Sequence, residues 1–188
     1  MTIAIIGSGR MGTGLTKLLA EASEPVVLLG RGKAVPKDAT VVILALPHSE
    51  LTNALAVAGD VSGKIVVDMT NPIGAGLALT VGLTTSVAEE IQKQLPKAKV
   101  VKAFNTVFAE LLGLDYSEHG NAPQVLYAGD DTAAKAEVKR LIEAIGFEAF
   151  DCGALKTARY LEPMGGLIVD LAYGQDRGTR IAPRLDQY

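Results

Sequence analysis

The chain alternates short apolar runs with longer segments in which apolar residues recur every three or four positions. The short runs are bounded by glycine, proline or polar residues, a pattern typical of strands buried on both faces. They lie at 3–6, 25–29, 40–46, 65–69, 99–104, 124–128 and 147–151. The segments between them mostly predict helices, and repeated strand–helix alternation favours an α/β protein with a doubly wound, mostly parallel sheet.

Local signals define several helix boundaries. Ser49, Ser86 and one of Asp130 or Asp131 precede apolar periodic segments and are predicted N-caps. The last apolar segment, at 155–173, has helical spacing, and Pro163 within it is predicted to kink or restart the helix.

Two connections depart from regular strand–helix alternation. After the turn that ends the second apolar run, only residues 32–39 precede the third run, which is too short for a full crossover helix. We therefore expect that helix to be missing or reduced to a turn. Residues 73–85 are rich in glycine and predict a loop that could act as a flap.

The first strand leads directly into a G-x-G-x-x-G motif formed by Gly7, Gly9 and Gly12, and a helix follows. In a Rossmann fold the first glycine permits a sharp turn, the second lets a pyrophosphate approach the backbone, and the third lets the helix pack on the strand. The motif therefore predicts dinucleotide binding at the helix N-terminus. The alternative is an ordinary glycine-rich turn.

The second strand ends in Gly30, Arg31, Gly32 and Lys33, without the acidic residue that binds the ribose 2′-hydroxyl in NAD-specific folds. Gly30 leaves space, and Arg31 and Lys33 supply positive charge for a 2′-phosphate. This pattern favours NADP(H) over NAD(H). Alternatively, the two cations are solvated on a surface turn.

Polar residues follow three further strands, where ligands bind in open α/β sheets. Leu46, Pro47 and His48 follow the third strand, and we expect them to lie along the cofactor. His48 could polarise a substrate, although a solvated histidine at a helix start is more common. The second histidine, His119, falls in a polar loop and is expected to be solvated.

Asparagines follow the next two strands. Asn71 could bind the nicotinamide ribose or the substrate, but Asn71-Pro72 is also an ordinary turn. Asn105 offers a hydrogen bond beside the expected nicotinamide position, and Phe104 and Val107 offer apolar surface there.

Composition narrows the functional classes. The 188 residues are 48% hydrophobic and carry a net charge of −3, which fits a folded domain and argues against a nucleic-acid partner. No apolar run has membrane-spanning length, and a strand begins too early to leave room for a signal peptide. The single cysteine, Cys152, favours a reducing cytoplasm and a buried apolar role. Two histidines and one cysteine predict no metal site.

Several segments together resemble the NADPH-dependent F420 reductase family, which is related to the NADPH domains of the STEAP ferric reductases. The segments are GSGRMG, ALPH, VVDMTNP, VVKAFNTVFAELL, YAGDD and GALKTARYLEPMGGLIVDLAYG. The resemblance implies a single NADP-binding Rossmann domain over 1–188, with 155–188 as a C-terminal helical extension. It also implies a homodimer that passes hydride from NADP(H) to a deazaflavin (F420) or to FMN or FAD.

By position within those segments, the resemblance implies roles for individual residues. Ser8, Arg10 and Met11 would line the pyrophosphate, and Arg31 would meet the 2′-phosphate with support from Lys33. Three positions would stand near the nicotinamide and the acceptor: Asn71, Asn105 and Val107. Because the two rings carry the chemistry of hydride transfer, no catalytic side chain is predicted.

Two other functions stay open. Small reductases related to β-hydroxyacid dehydrogenases begin with G-x-G-x-M-G, but the chain beyond about residue 155 is too short for their helical second domain unless a dimer completes the site. An NADP(H)-binding sensor without turnover would keep the glycine loop and Arg31 but lack a ring-sized apolar pocket.

Overall fold

The computed structural model describes residues 2–116 and 122–186, so His119 lies outside the described residues. Its seven strands are β1 (Thr2–Ile6), β2 (Val26–Leu29), β3 (Ala39–Leu44), β4 (Ile65–Asp68), β5 (Lys99–Lys102), β6 (Gln124–Gly129) and β7 (Glu148–Asp151). Its five α-helices are α1 (Arg10–Glu21), α2 (Leu51–Ala58), α3 (Val87–Gln94), α4 (Thr132–Ala144) and α5 (Ala158–Val169).

The strands form one sheet in the order β2-β1-β3-β4-β5-β6-β7. Every neighbouring pair is parallel except β5 and β6, which are antiparallel. The predicted doubly wound, mostly parallel Rossmann fold is confirmed. Because β1 to β5 run in one direction, their carboxyl ends share one edge of the sheet.

Helices cover both faces of the sheet. Alternate residues of each central strand point to opposite faces: Ile3 and Ile5 belong to a core shared with α1 and α4. Ala4 and Ile6 belong to a core shared with α2, α3 and the start of α5. Burial on both faces explains why the strands are continuous apolar runs.

Most predicted boundaries agree with the structure. The connection between β2 and β3 contains no helix. The Ser86 hydroxyl accepts a hydrogen bond from the Glu89 N–H at 3.2 Å, and the Asp131 carboxylate accepts one from the Ala134 N–H at 2.8 Å. Both therefore cap helices, as predicted.

One boundary prediction is wrong, and one of two alternatives in a second is excluded. Ser49 caps no helix, because it lies inside a 3₁₀ turn, His48–Glu50, that precedes α2. The α5 helix continues through Pro163, which excludes the predicted restart but not the alternative, a kink. Pro163 lies early in α5, in its second turn, where it removes only one backbone hydrogen bond.

The strands β3 and β5 end two residues earlier than predicted, at Leu44 and Lys102. Phe104 then adopts a left-handed backbone conformation with φ of 63° and is almost fully buried. The apolar sequence continues past β5 because Ala103 and Phe104 are themselves buried in the core shared with α1 and α4.

No helix in the described part of the chain is long and apolar enough to cross a membrane. Cys152 is half-buried beside Phe150 and Met164, and burial raises the pKa of its thiol.

Candidate functional site

The loop after β1 brings three glycines into different environments. A Cβ atom on Gly7 would lie 2.1 Å from the Ala45 carbonyl oxygen, and one on Gly12 would lie 1.8 Å from the Gly7 carbonyl oxygen. Around Gly9, by contrast, no described atom lies within 4 Å of such a Cβ. Gly7 and Gly12 are therefore packing positions, whereas Gly9 leaves its backbone open.

Gly9 is also the N-cap of α1, and because glycine has no side chain, no side-chain hydrogen bond caps this helix. The first N–H groups of a helix have no partner within the helix, and here no acidic residue occupies the first turn. The helix dipole adds positive potential at the same point. This N-terminus is suited to hold an anionic group.

A cavity of about 550 Å³ lies on the β2 side of the glycine loop; we call it the basic cavity. The tip of β2 supplies Arg31 and Lys33, and α2 supplies an apolar wall that includes Val57, which is 41% exposed. Its lining residues are Ile6, Gly7, Ser8, Gly9, Gly30, Arg31, Gly32, Lys33, Ala45, Leu46, Pro47, Glu50, Asn53, Ala54 and Val57.

A second cavity of about 400 Å³ lies over the ends of β4 and β5; we call it the amide cavity. The α1 start, the loops after β3, β4 and β5, and α5 form its walls. Its lining residues are Gly9, Arg10, Met11, Ala45, Leu46, Pro47, Met69, Asn71, Phe104, Asn105, Thr106, Val107, Phe108, Ala109, Glu110, Gly165, Ile168, Val169 and Tyr173.

The two cavities meet at the glycine loop. Both are lined by Gly9, Ala45, Leu46 and Pro47. One continuous surface therefore runs from the cations at the end of β2, past the start of α1, to the asparagines after β4 and β5.

Two asparagine side chains pair across the amide cavity. The Asn105 Nδ2 donates to Asn71 Oδ1 at 2.9 Å and to the Leu161 carbonyl at 2.7 Å, while Asn71 Nδ2 donates to the Asn105 carbonyl at 2.7 Å. Asn105 is only 6% exposed, and its Oδ1 has no hydrogen-bond partner among the described residues. The neighbouring Thr106 Oγ1 is also buried and unpaired there.

Unpaired buried polar atoms are costly, at about 1–3 kcal/mol each. Because Asn105 and Thr106 both line the amide cavity, a ligand carrying N–H and carbonyl groups could satisfy the two atoms.

Aromatic rings form the outer wall of the amide cavity. Phe108 and Tyr173 meet edge to face with centroids 5.8 Å apart, and Tyr173 lies in a π-helical turn, Asp170–Gly174, that extends α5. Such turns are often found at functional sites. Nearby, Arg10 forms an ion pair with Glu110.

Glu110 remains a carboxylate at neutral pH. Burial alone pushes its pKa up, but hydrogen bonds from its own backbone and from Arg10 outweigh that effect and leave the pKa below its usual value.

A buried charge network lies beneath the amide cavity. The Lys102 Nζ, at the end of β5, lies 2.7 Å from Asp68 Oδ2 on β4 and 2.9 Å from Glu162 Oε1 on α5. All three side chains are fully buried. Glu162 also accepts hydrogen bonds from the N–H groups of Val87 and Ala88, at the start of α3.

Most of the predicted site residues line one of the two cavities. Those in the basic cavity are Gly7, Ser8, Gly9, Gly30, Arg31, Lys33, Leu46 and Pro47. Those in the amide cavity include Arg10, Met11, Asn71, Asn105 and Val107. His48, the first residue of the 3₁₀ turn, lines neither cavity, and Gly12 is buried in α1 against the loop.

Several lining residues carry no signal in the sequence. Glu50 and Asn53 lie far along the chain from Arg31, and Tyr173 lies far from Phe108, so only the fold brings them together. The sequence does contain a signal for the buried network, because Asp68 and Lys102 are charged residues at the ends of apolar strands. Their pairing in register confirms that they are neighbours.

Within 2–116 and 122–186, no group of three or more histidine, cysteine, aspartate or glutamate side chains could hold a metal ion. The site offers binding surfaces and hydrogen bonds rather than a nucleophile with its base.

No family profile matches the chain, but comparison with individual known proteins finds relatives. It is 34% identical over 147 residues to the F420-dependent NADP reductase of Methanocaldococcus jannaschii, covering 74% of this chain and 65% of that protein. It is also 34% identical over 122 residues to the metalloreductase STEAP3 of Rattus norvegicus, covering 65% of this chain and 24% of that protein. The chain thus spans less than two thirds of the length of each of these two relatives.

A solved structure from Arthrobacter sp. FB24, described as a candidate F420-dependent NADP reductase, shares the whole fold. The two chains are 28% identical, each is covered over 100% of its length, and the TM-score is 0.87. The resemblance that the sequence predicts is therefore confirmed, both in sequence and in fold.

Proposed function

We propose, because this chain is a relative of the F420-dependent NADP reductases, that it is an NADP-dependent oxidoreductase. It would transfer hydride between NADP(H) and a deazaflavin such as F420, or a flavin such as FMN or FAD. The observation that carries this proposal is the pair of cavities that meet at the open glycine loop.

The basic cavity fits the adenosine end of NADP(H). The backbone at Gly9 and the start of α1 would hold the pyrophosphate, and Arg31 and Lys33 would bind the 2′-phosphate. The apolar surface of Ala54 and Val57 would cover one face of the adenine. The missing helix between β2 and β3 leaves room for this end of the cofactor.

The amide cavity fits the nicotinamide end. The unpaired Oδ1 of Asn105 would accept a hydrogen bond from the N–H of the carboxamide. The Thr106 hydroxyl would donate a hydrogen bond to the carbonyl oxygen of the same carboxamide. Leu46 and Pro47 would lie along the cofactor between the two ends. His48 lines neither cavity, and we assign it no chemical role.

When bound, the nicotinamide ring supplies the hydride that the acceptor ring receives together with a proton from solvent. The protein would orient the two rings about 3–3.5 Å apart and keep water from the space between them. Asn71 and Asn105 would fix one ring, and the Phe108 and Tyr173 rings would form the apolar wall beside the other. No side-chain acid or base is needed for this step.

An acceptor screen tests the proposal. The purified chain is mixed with NADPH and, in turn, with F420, FMN and FAD, and the loss of NADPH absorbance is followed without oxygen. We expect loss of NADPH that depends on one of these acceptors. Nucleotide binding without turnover on any of them would favour the alternative of an NADP(H)-binding sensor. That alternative is disfavoured by the ring-sized apolar wall of the amide cavity.

Replacing Arg31 with alanine tests the 2′-phosphate assignment. Because a guanidinium makes charge-assisted hydrogen bonds to that phosphate, Arg31→Ala should weaken NADPH binding about tenfold and NADH binding much less. Calorimetric titration of both nucleotides measures the difference. Arg177→Ala, an exposed arginine outside both cavities, is the control, and equal losses for NADPH and NADH would contradict the assignment.

The remaining features are proposals as well. Residues 1–188 would form one NADP-binding domain with 155–188 as its helical extension, supported by the single sheet and by α5 packing on it. The net charge of −3 supports the absence of a nucleic-acid partner, and the lone Cys152 supports a cytoplasmic location. The chain would act as a homodimer, supported by an exposed apolar face on α5.

A further inference from the structure

The basic cavity contains a carboxylate as well as two cations. Glu50, in the turn that precedes α2, lines this cavity with Arg31 and Lys33. Its Oε1 lies 4.0 Å from Arg31 Nη2. In NAD-binding folds an acidic residue at the tip of the second strand binds the ribose hydroxyls. Here the tip of β2 carries no acid, but the fold brings one to the same place from the turn after β3.

The contact between Glu50 and Arg31 is too weak to hold the arginine in position. The Arg31 side chain is 91% exposed and that of Glu50 is 42% exposed, and an exposed pair at this distance contributes little. The main effect of Glu50 is therefore its charge, which lies beside the place where the 2′-phosphate would bind.

We propose that Glu50 sets the coenzyme selectivity of this site, an inference that rests on the proposed function. Its carboxylate repels the 2′-phosphate of NADP(H) and accepts a hydrogen bond from the 2′-hydroxyl of NAD(H). The chain therefore binds both nucleotides, and its preference for NADP(H) is smaller than Arg31 and Lys33 alone would give.

The test replaces Glu50 with its neutral isostere and measures binding of NADP⁺ and NAD⁺ to the full chain by calorimetry. A phosphate bound by Arg31 would lie at a distance from Glu50 comparable to the 4.0 Å between Glu50 and Arg31. Two unit charges about 4 Å apart in water interact by about 1 kcal/mol, which corresponds to about fivefold in affinity. Glu50→Gln should therefore bind NADP⁺ about fivefold more tightly and NAD⁺ more weakly. Added salt should shrink the gain for NADP⁺, because exposed charges are screened.

Glu21→Gln is the matched control. Glu21 is an exposed carboxylate on α1 that pairs with Lys17 at 3.8 Å and lies outside both cavities, so its loss changes net charge equally. It should leave the ratio of the two affinities unchanged. Thermal unfolding of both variants checks that the fold is retained.

Two results would overturn the inference while leaving the proposed function intact: an affinity ratio unaltered in Glu50→Gln, or weaker NADP⁺ binding, which would mean that Glu50 prepares Arg31 for the phosphate. A wild-type chain that binds neither nucleotide would instead overturn the proposed function, and this inference with it.

Discussion

Gly9 and Gly12 lie three residues apart, yet a side chain would affect them in different ways. A Cβ on Gly12 meets the Gly7 carbonyl oxygen at 1.8 Å, which would force α1 away from the loop. At Gly9 the backbone φ of −75° suits any residue, and a side chain would point into open space. The loop therefore allows folding and nucleotide binding to be separated by substitution.

We predict that Gly9→Val costs only about 1 kcal/mol of stability, because valine is a poorer N-cap than glycine, and weakens NADP(H) binding more than tenfold. The valine would occupy the space where the pyrophosphate approaches the backbone, while no described atom lies close enough to clash with its Cβ. Chemical denaturation and calorimetric titration measure the two effects.

The companion variant Gly12→Ala should instead affect mainly stability. It should lose about 1–3 kcal/mol, because the added methyl group overpacks the loop. If Gly9→Val destabilised the protein as much as Gly12→Ala, or bound NADP⁺ like wild type, the assignment of Gly9 to the pyrophosphate would be wrong.

At the scale of elements, α5 approaches the loop after β4 through two adjacent glycines. A Cβ on Gly165 would lie 2.4 Å from Asn71 Oδ1, whereas one on Gly166 would lie 3.0 Å from Leu79 Cδ2. Asn71 is held by its hydrogen bonds with Asn105, but the end of the Leu79 side chain can move. The absence of side chains at these two glycines therefore allows the close approach of another element of the protein.

We predict that Gly165→Ala destabilises the protein by about 1–3 kcal/mol and also weakens binding at the nicotinamide end, because it displaces Asn71. Gly166→Ala gains the same helix propensity and is the control; it should be neutral or slightly stabilising. Denaturant unfolding and titration with NADP⁺ distinguish the two. Equal stability of the two variants would show that Asn71 moves freely.

The buried network joins four elements through one cation. Lys102 pairs with Asp68 on β4 and with Glu162 on α5, and Glu162 in turn caps the start of α3. We predict that Lys102→Met destabilises the protein by about 3–5 kcal/mol, because it leaves two buried carboxylates without a counter-charge. Equilibrium unfolding measures the loss.

Lys139→Met provides the comparison, since Lys139 is a half-exposed partner of Glu143 on α4. Exposed pairs contribute about 0–1 kcal/mol, so this variant should differ little from wild type. An effect at Lys102 as small as that at Lys139 would contradict the role of Lys102 as the counter-charge of the buried network.

Across the whole molecule, the sequence predicts what depends on local pattern. Strand runs, helix caps at Ser86 and Asp131, and the short link before β3 are all visible in the order of residues. The left-handed Phe104 is not, because no local pattern favours that conformation at a phenylalanine. The contact between Glu50 and Arg31 is not visible in the sequence either, because it depends on the order of the strands in the sheet.

One surface of the molecule exposes several large apolar side chains. Tyr160 and Leu167 lie seven residues apart on α5, so they share one face of the helix, and both are more than half exposed. The loop that carries Leu79 and Leu83 lies against the same helix, since Leu79 contacts Gly166 and Leu83 is 78% exposed. Exposed apolar surface of this kind is typical of interfaces, which supports the proposed homodimer.

We predict that Leu167→Glu converts a dimer into a folded monomer. A charge in the centre of an apolar interface would lose its hydration without a partner, whereas on a free surface it costs nothing. Light scattering after gel filtration measures the mass, and circular dichroism checks the fold. Leu185→Glu, at an exposed leucine in the C-terminal tail, is the control and should remain dimeric. A wild-type chain that is monomeric at every concentration tested would contradict the homodimer, and the apolar face on α5 would then need a different partner.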